Sequence, residues 1–306
     1  MIKAVKNISF ICVLIVIFVI ILSCSNTKKN TSEVVKNDFL IDSLIVKKRI
    51  HDKVLLLMFG SDAITAIRTH KGIVVVDAGI SMGLTLKYRR IIENEFKSND
   101  FVYVINTHSH PDHYGGNSQF ENAKIIGQAE GLKEISEQWS NPEKVKNRIS
   151  KIVDEYELES KKLKRNTEEW ADNFIQKTRY SYSLYDIEMQ IPVKQAEISF
   201  SDSLQIDMGD VNFEMVYFGA CHSNSDILIY VPELKILFTG DLFFKYGRPS
   251  ISDTSMKDQN NWENSMKWIE KRIPNIETII SGHGELLSIE DLNSFNRNML
   301  DKCLNK

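Results

Sequence analysis

The chain of 306 residues has no excess of basic charge: 38 Lys and Arg against 41 Asp and Glu leave a formal net charge of -3. A nucleic-acid partner usually shows as a basic patch or stripe, so the balance argues against one. Cysteine is scarce, at four in the chain, and Cys12 and Cys24 fall in the apolar N-terminal segment or at its end. Cys221 and Cys303 remain, too few for a disulfide framework in a domain of this size. Apolar runs of spanning length are missing too. The run from Ile8 to Leu22 is short of the roughly 20 residues a transmembrane helix needs. No short-period repeat is visible.

What the N-terminal segment does have is the layout of an export signal. Lys3 and Lys6 form a basic start, Ile8 to Leu22 an apolar middle, and Ile21-Leu22-Ser23-Cys24 its end. A Cys directly after a small residue there resembles a bacterial lipobox, although Leu22 departs from the small residue common at the penultimate position. The resemblance implies residues 1–23 as a lipoprotein signal peptide and acylation of Cys24. It also implies membrane association through that lipid anchor, in the cell envelope on the periplasmic side or at the outer membrane. Residues 24–39 then read as a flexible tether, and an uncleaved N-terminal anchor is the alternative.

From residue 40 to 306 strand-like and helical runs alternate. Leu44–Ile50, Lys53–Phe59, Ala63–Thr69 and Ile73–Asp77 read as strands, Leu84–Phe96 as a helix, and Phe101–Asn106 and Ala123–Gly127 as strands again. A second strand-rich block covers Glu197–Phe200, Leu204–Met208, Val211–Phe218, Asp226–Val231 and Lys235–Phe238. Helix Ser255–Ile273, strand Thr278–Ser281 and helix Ile289–Leu304 close the chain. Two such halves imply an α/β fold, two mixed sheets face to face with helices outside. Between them, at about 130–191, lies a Lys/Glu-rich stretch that reads as a helical insertion. Asn141-Pro142-Glu143 supplies an N-cap, a first-position Pro and a first-turn acid. Ile149, Ile152, Val153 and Tyr156 then share one helical face. Its aromatics (Trp139, Trp170, Phe174, Tyr180, Tyr182, Tyr185) serve either to pack on the sandwich or to form a lid.

The chemistry concentrates in Thr107-His108-Ser109-His110-Pro111-Asp112-His113, directly after a buried-type strand. His108 and His110, two apart at a strand end, point the same way and suit one ion. Pro111 breaks the extended path, so Asp112 and His113 turn toward a second. Gly115 and Gly116 are expected to let the backbone pass close to the metals. Imidazole and carboxylate are the usual ligands of a catalytic zinc, which keeps a position open for water. His222, Asp241 and His283 each occupy a loop at a strand end beside a Gly, whereas His51 and His70 lie outside any motif.

Taken together, these segments resemble the metallo-β-lactamase superfamily in order, spacing and local sequence, from about Leu40 to the C-terminus. The resemblance implies an αβ/βα four-layer sandwich with the metals in a shallow cleft at one edge. It implies that His108, His110 and His222 hold one metal and that Asp112, His113 and His283 hold the other. Asp241 would bridge both, and Asp112 would also orient the attacking water. Two zinc ions are expected, with iron or manganese as alternatives, and a small molecule as substrate. Asp77 resembles the family carboxylate that orients a ligand His. Asp226 either does similar work or caps its turn, and Cys221 reads as a core residue.

The pattern divides within the family. The largest β-lactamase subclass has Cys at the Asp241 position and Arg at the His113 position, and this chain has neither. The set with both His113 and Asp241 is more similar to the family's thioesterases, lactonases and phosphodiesterases. Hydrolysis of a carbonyl substrate (β-lactam, lactone, ester or thioester) is therefore expected, with phosphodiester hydrolysis or a one-iron persulfide-type dioxygenase as alternatives. Lys245 and Arg248 read either as a site for a substrate carboxylate or as surface charge.

Overall fold

The computed structural model describes residues 39–243, 245 and 259–294. The signal and lipobox segment, Arg248, Cys303 and the greater part of the closing helix lie outside the described residues. Residues 39–45 fall outside the compact unit that begins at Val46, and hold one short helix at 39–44.

Within that unit the chain forms two mixed sheets. The first contains β1 (Val46–His51), β2 (Val54–Phe59), β3 (Asp62–Thr69), β4 (Gly72–Val76), β5 (Phe101–Ile105), β6 (Lys124–Gln128) and β7 (Ile198–Phe200), in that order. Neighbours are antiparallel up to β4 and parallel from β4 to β7. The second runs β13 (Leu286–Leu287), β12 (Thr278–Ser281), β11 (Ile236–Gly240), β10 (Ile227–Val231), β9 (Asn212–Tyr217) and β8 (Ser203–Asp207). Only its β11–β12 pair is parallel.

Side-chain alternation sets the layers. Leu56, Val74, Ile105 and Ile126 of the first sheet share one buried cluster with Phe213, Ile229, Phe238 and Ile280 of the second. Leu55, Leu57, Val75 and Val104 are buried on the other face of the first sheet. Helix α1 (Met82–Phe96) contributes Leu84, Tyr88, Ile92 and Phe96, an i, i+4, i+8, i+12 stripe, and is N-capped by Ser81. On the outer face of the second sheet, Leu228, Leu237 and Ile279 pack with Trp262, Met266 and Ile269 of a helix at Gln259–Glu270. Strands buried on both faces explain why Val54–Phe59 and Ile227–Val231 are continuous apolar runs rather than alternating ones.

One strand changes partner relative to expectation. The segment around Glu197–Phe200 reads as the start of the second block. Instead it crosses to the first sheet, where Ile198–Phe200 runs parallel to Ile126–Gln128. The Glu197 N–H donates to the Ile125 carbonyl at 2.9 Å. A three-residue strand carries no periodicity that could assign it to either sheet.

The short motif helix α2 (Pro111–Tyr114) follows β5, and the stretch at about 130–191 is helical: α3 (Ala129–Gln138), α4 (Pro142–Ser160) and α5 (Glu168–Glu188). Asn141 caps α4 by accepting the Lys144 N–H at 3.0 Å, with Pro142 at the first position. Helix α5 lies against the sandwich. Its Tyr182 ring and Ile175 side chain occupy the space where Gly83 and Gly60 have no Cβ. Tyr180 stacks on Tyr156 and Trp170 on Phe174.

Candidate functional site

The seven residues singled out in the sequence come together at one edge of the two sheets. Each sits just beyond a strand, on the short helix α2 that follows β5, or in a loop between strands, where strand pairing ends and side chains converge. Asp77 follows β4 and the motif follows β5. His222 lies between β9 and β10, Asp241 follows β11, and His283 follows β12. Backbone bonds tie these loops together: Ile227 N–H to Thr107 O at 2.9 Å, and Gly282 N–H to Gly240 O at 2.8 Å. Gly282 is where the backbone approaches the candidate ligands themselves. A Cβ there would run into the Asp241 carboxylate and the His113 ring. Gly115 and Gly116 have a different role from the one expected. A Cβ on either would strike the Ala78–Ile80 backbone or Thr85, so they seat the motif on the β4–α1 loop rather than close to the metal ligands.

Two groups of side chains could hold a metal ion: His108, His110, His222 and Asp241, and beside them Asp112, His113 and His283. In the first, His222 Nε2 is 3.1 Å from His110 Nδ1 and 3.6 Å from Asp241 Oδ2, and His108 Nε2 is 3.9 Å from that oxygen. In the second, His113 Nε2 lies 3.8 Å from Asp112 Oδ1. Asp241 Oδ2 is 3.6 Å from His113 Nε2 and 3.0 Å from His283 Nε2, so one carboxylate oxygen faces both groups. Ligands about 2.05 Å from a tetrahedral zinc stand about 3.3 Å apart, and the observed spacings bracket that value. His108 Nε2 and Asp241 Oδ1 are buried with no hydrogen-bond partner among the described residues, a costly state for polar atoms that a cation would relieve. The residues therefore fit a metal.

The two groups differ in charge. Burial holds His108 well below the ordinary imidazole range, lowers His110, and brings His222 down to about 4. These rings are neutral near pH 7, with lone pairs ready to coordinate. His113 and His283 are also disfavoured as cations by burial, but the Asp241 carboxylate, helped at His113 by Asp77 and Asp112, raises both. Conversely, burial would raise Asp241, yet the facing His113 and His283 rings hold it well below the carboxylate range. Protons on His113 and His283 thus balance Asp241 and Asp112, and a cation arriving there must displace them.

A supporting layer fixes the ligands. Asp77 accepts from Thr107 N–H at 2.8 Å, Thr107 Oγ1 at 2.9 Å and His113 Nδ1 at 2.9 Å, which aims His113 Nε2 at the site. Asn106 and Asn117 exchange amide hydrogen bonds, and Asn106 Nδ2 also donates to the His113 carbonyl. His283 Nδ1 meets the Ser61 carbonyl at 2.5 Å. The insertion joins in: Glu134 of α3 accepts from Ser109 and from the Asn224 N–H, and Arg179 of α5 approaches Asp112. Asp226 accepts from the Ser223 N–H at 2.6 Å and Oγ at 2.9 Å, the turn-capping arrangement, and burial raises it to about 7. Cys221 is buried in the outer core, as expected, and His51 and His70, outside any motif, are exposed. Lys245 is exposed, its N–H donating to Glu285 at 3.1 Å.

Sequence reasoning missed Ser61, Asp62, Glu134, Arg179 and the Asn106–Asn117 pair. Ser61 and Asp62 follow Gly60 at the β2–β3 turn, and Glu134 and Arg179 lie on helices, where no local pattern marks them. A cavity of about 720 Å³ adjoins the insertion, lined by Tyr114, Leu132, Ile135, Trp139 and Ile187 and by none of the seven.

Comparison with known proteins agrees with this geometry. The family model described as the metallo-beta-lactamase superfamily matches residues 59–283, from the Ser61 turn to His283. The type 2 metallo-beta-lactamase of Bacillus cereus is 22% identical over 220 residues, 72% of this chain and 66% of its own length. Among solved structures, a metallo-beta-lactamase from Pontibacter korlensis superposes with TM-score 0.53 at 16% identity, covering 83% of this chain and 99% of that one. The stereoselective inverting sec-alkylsulfatase Pisa1 from Pseudomonas sp. gives 0.61 at 14% identity, covering 84% and 41%. At these identities the structural likeness speaks for the fold alone. With more than half of the sequence matched by the family model, the chain belongs to the metallo-beta-lactamase superfamily.

Proposed function

We propose that this superfamily hydrolase works with two zinc ions on a small carbonyl substrate: a β-lactam, lactone, ester or thioester. The observation that carries the reading is Asp241, whose Oδ2 stands 3.0–3.9 Å from nitrogens of His108, His113, His222 and His283. In this reading His108, His110 and His222 hold one ion, Asp112, His113 and His283 hold the other, and Asp241 serves both. Bound zinc would supply Lewis acidity, bringing the pKa of water from about 15.7 to about 7 and polarising the carbonyl oxygen.

The chain's own contribution is orientation. Asp112 is more open than the acids around it, with 27% of its side chain exposed against 5% for Asp241 and 3% for Asp77. Burial would raise Asp112, but the neighbouring His113 and His283, and farther down Arg179, hold it below the usual carboxylate range. It is therefore an ionised acceptor at the mouth of the site, suited to orient a water by accepting one of its hydrogens. Asp77 keeps the His113 ring from turning. No further general base is required.

The reading is tested by assaying the zinc-loaded protein side by side on a chromogenic cephalosporin, a simple lactone and bis-nitrophenyl phosphate. Zinc-dependent turnover of at least one carbonyl compound well above the phosphodiester is expected. Turnover confined to the phosphodiester would refute acyl chemistry, and oxygen consumption by an iron-loaded protein would favour a dioxygenase.

A further inference from the structure

Helix α5 belongs to the insertion, not to the sandwich, yet its Arg179 is only 3% exposed and lies at the metal-site edge. Both terminal nitrogens of the guanidinium are engaged, while Nε is buried with no hydrogen-bond partner among the described residues. Nη1 donates to Ser61 Oγ at 2.6 Å and to Gln176 Oε1 at 2.7 Å, and Nη2 stands 3.5 Å from Asp112 Oδ2. Ser61 in turn offers its carbonyl to His283 Nδ1 at 2.5 Å. One side chain thus touches Asp112 directly and reaches His283 through a single residue. Asp77 holds the remaining member of that group, His113, at 2.9 Å. Among the described residues the contacts given for the first group run elsewhere: His108 Nδ1 rests on Thr107 Oγ1 at 3.1 Å, and His110 Nδ1 lies 3.1 Å from His222 Nε2.

We propose that Arg179 is a positioning residue for the second metal, fixing Asp112 and the Ser61–His283 contact at the separation that ion requires. The helical insertion is on this account a structural part of the metal centre. The proposal rests on the two-metal reading above. The geometry explains why the residue is Arg. A planar fork meets two partners at fixed angles, whereas a lysine ammonium is a single point charge on a flexible stem. Charge points the same way. Asp62, fully buried beside Ser61, is raised by burial, and Arg179 is the strongest influence drawing it back down. Asp112 pushes Asp62 up in turn, so the cation offsets the repulsion between these two acids.

The test is a zinc titration of metal-free protein by calorimetry with a competing chelator, on the wild type, Arg179→Lys and Arg179→Met. Loss of a group that orients a metal ligand typically weakens metal binding by 10–100-fold. The expected result is two equivalents in the wild type. In Arg179→Lys the second equivalent should weaken by about tenfold or more while the first stays within experimental error of wild type, and Arg179→Met should weaken the second at least as far. Lys177→Met removes the 2.7 Å contact from α5 to Glu157 of α4 without touching Asp112 or Ser61, and should change neither equivalent. Should Arg179→Met not fold, Arg179→Lys decides alone. Wild-type affinities for both equivalents in Arg179→Lys would overturn the proposal, as would an equal loss of both, which marks general loosening. A wild type that takes up fewer than two equivalents would instead refute the two-metal reading itself, and the proposal with it.

Discussion

Asp77 shows how far a single residue can be committed to a neighbour. Its backbone φ is 59°, in the left-handed region that costs an L-residue about 1–2 kcal/mol, with Asp among the more tolerant types. The strain is offset by position: the N–H donates to the Ile105 carbonyl, and the carboxylate receives two bonds from Thr107 and one from His113. Asp77→Asn cannot keep all three, because an amide has one acceptor oxygen and its nitrogen would face donors. Either the Thr107 loop or the His113 ring loses its partner. Zinc binding by the second group should weaken by about 10–100-fold in this variant, with the first equivalent unchanged, as read in a chelator competition. A second equivalent of wild-type affinity in Asp77→Asn would remove Asp77 from the site.

At the scale of elements, periodicity and punctuation made much of the architecture legible. Buried strands such as Ile227–Val231 show as short apolar runs, α1 as a 3.6-residue stripe, and α4 through its Asn-Pro start. The site was legible for a related reason. His108, His110, Asp112 and His113 lie within six residues, and His222, Asp241 and His283 sit at strand ends beside glycines, so local sequence carried the whole candidate set. What was not legible depends on contacts between distant segments. Arg179 is 118 residues from Ser61 in the chain, and no local pattern distinguishes it from other arginines on a charged helix. The Asp62 carboxylate, at the Ile80 N–H and the Tyr88 hydroxyl, is likewise set by how α1 folds back over the β2–β3 turn. The insertion's aromatics were ambiguous between packing and a lid. Of these, Tyr182 packs on the sandwich over Gly83, Tyr180 and Trp170 pair with Tyr156 and Phe174 inside the insertion, Trp139 donates to the Tyr114 hydroxyl, and Tyr185 remains 54% exposed.

For the molecule as a whole, the sandwich supplies two loop clusters that meet at one edge, and the insertion braces them from the side. Where this protein works is a proposal from the N-terminal sequence, whose residues lie outside the described ones. Acylated Cys24 would hold it in the cell envelope, exposed to small carbonyl compounds. Cys24→Ala should abolish radiolabelled-lipid incorporation and release the protein from membranes; undiminished labelling would place the anchor elsewhere.

The central claim is that one carboxylate, Asp241, serves two ions at once, and zinc titration of the metal-free protein beside its Asp241→Ala variant tests it most directly. The charge asymmetry of the site adds a sign. His113 and His283 are raised in the metal-free protein, so protons compete for the second group and its zinc affinity should fall as pH drops from 8 to 6. The first group, with His222 at about 4, should change far less over that range. The account predicts two equivalents in the wild type, the weaker one pH-dependent in this direction, and a loss of affinity for both in Asp241→Ala. A single pH-insensitive equivalent that survives Asp241→Ala unchanged would contradict it.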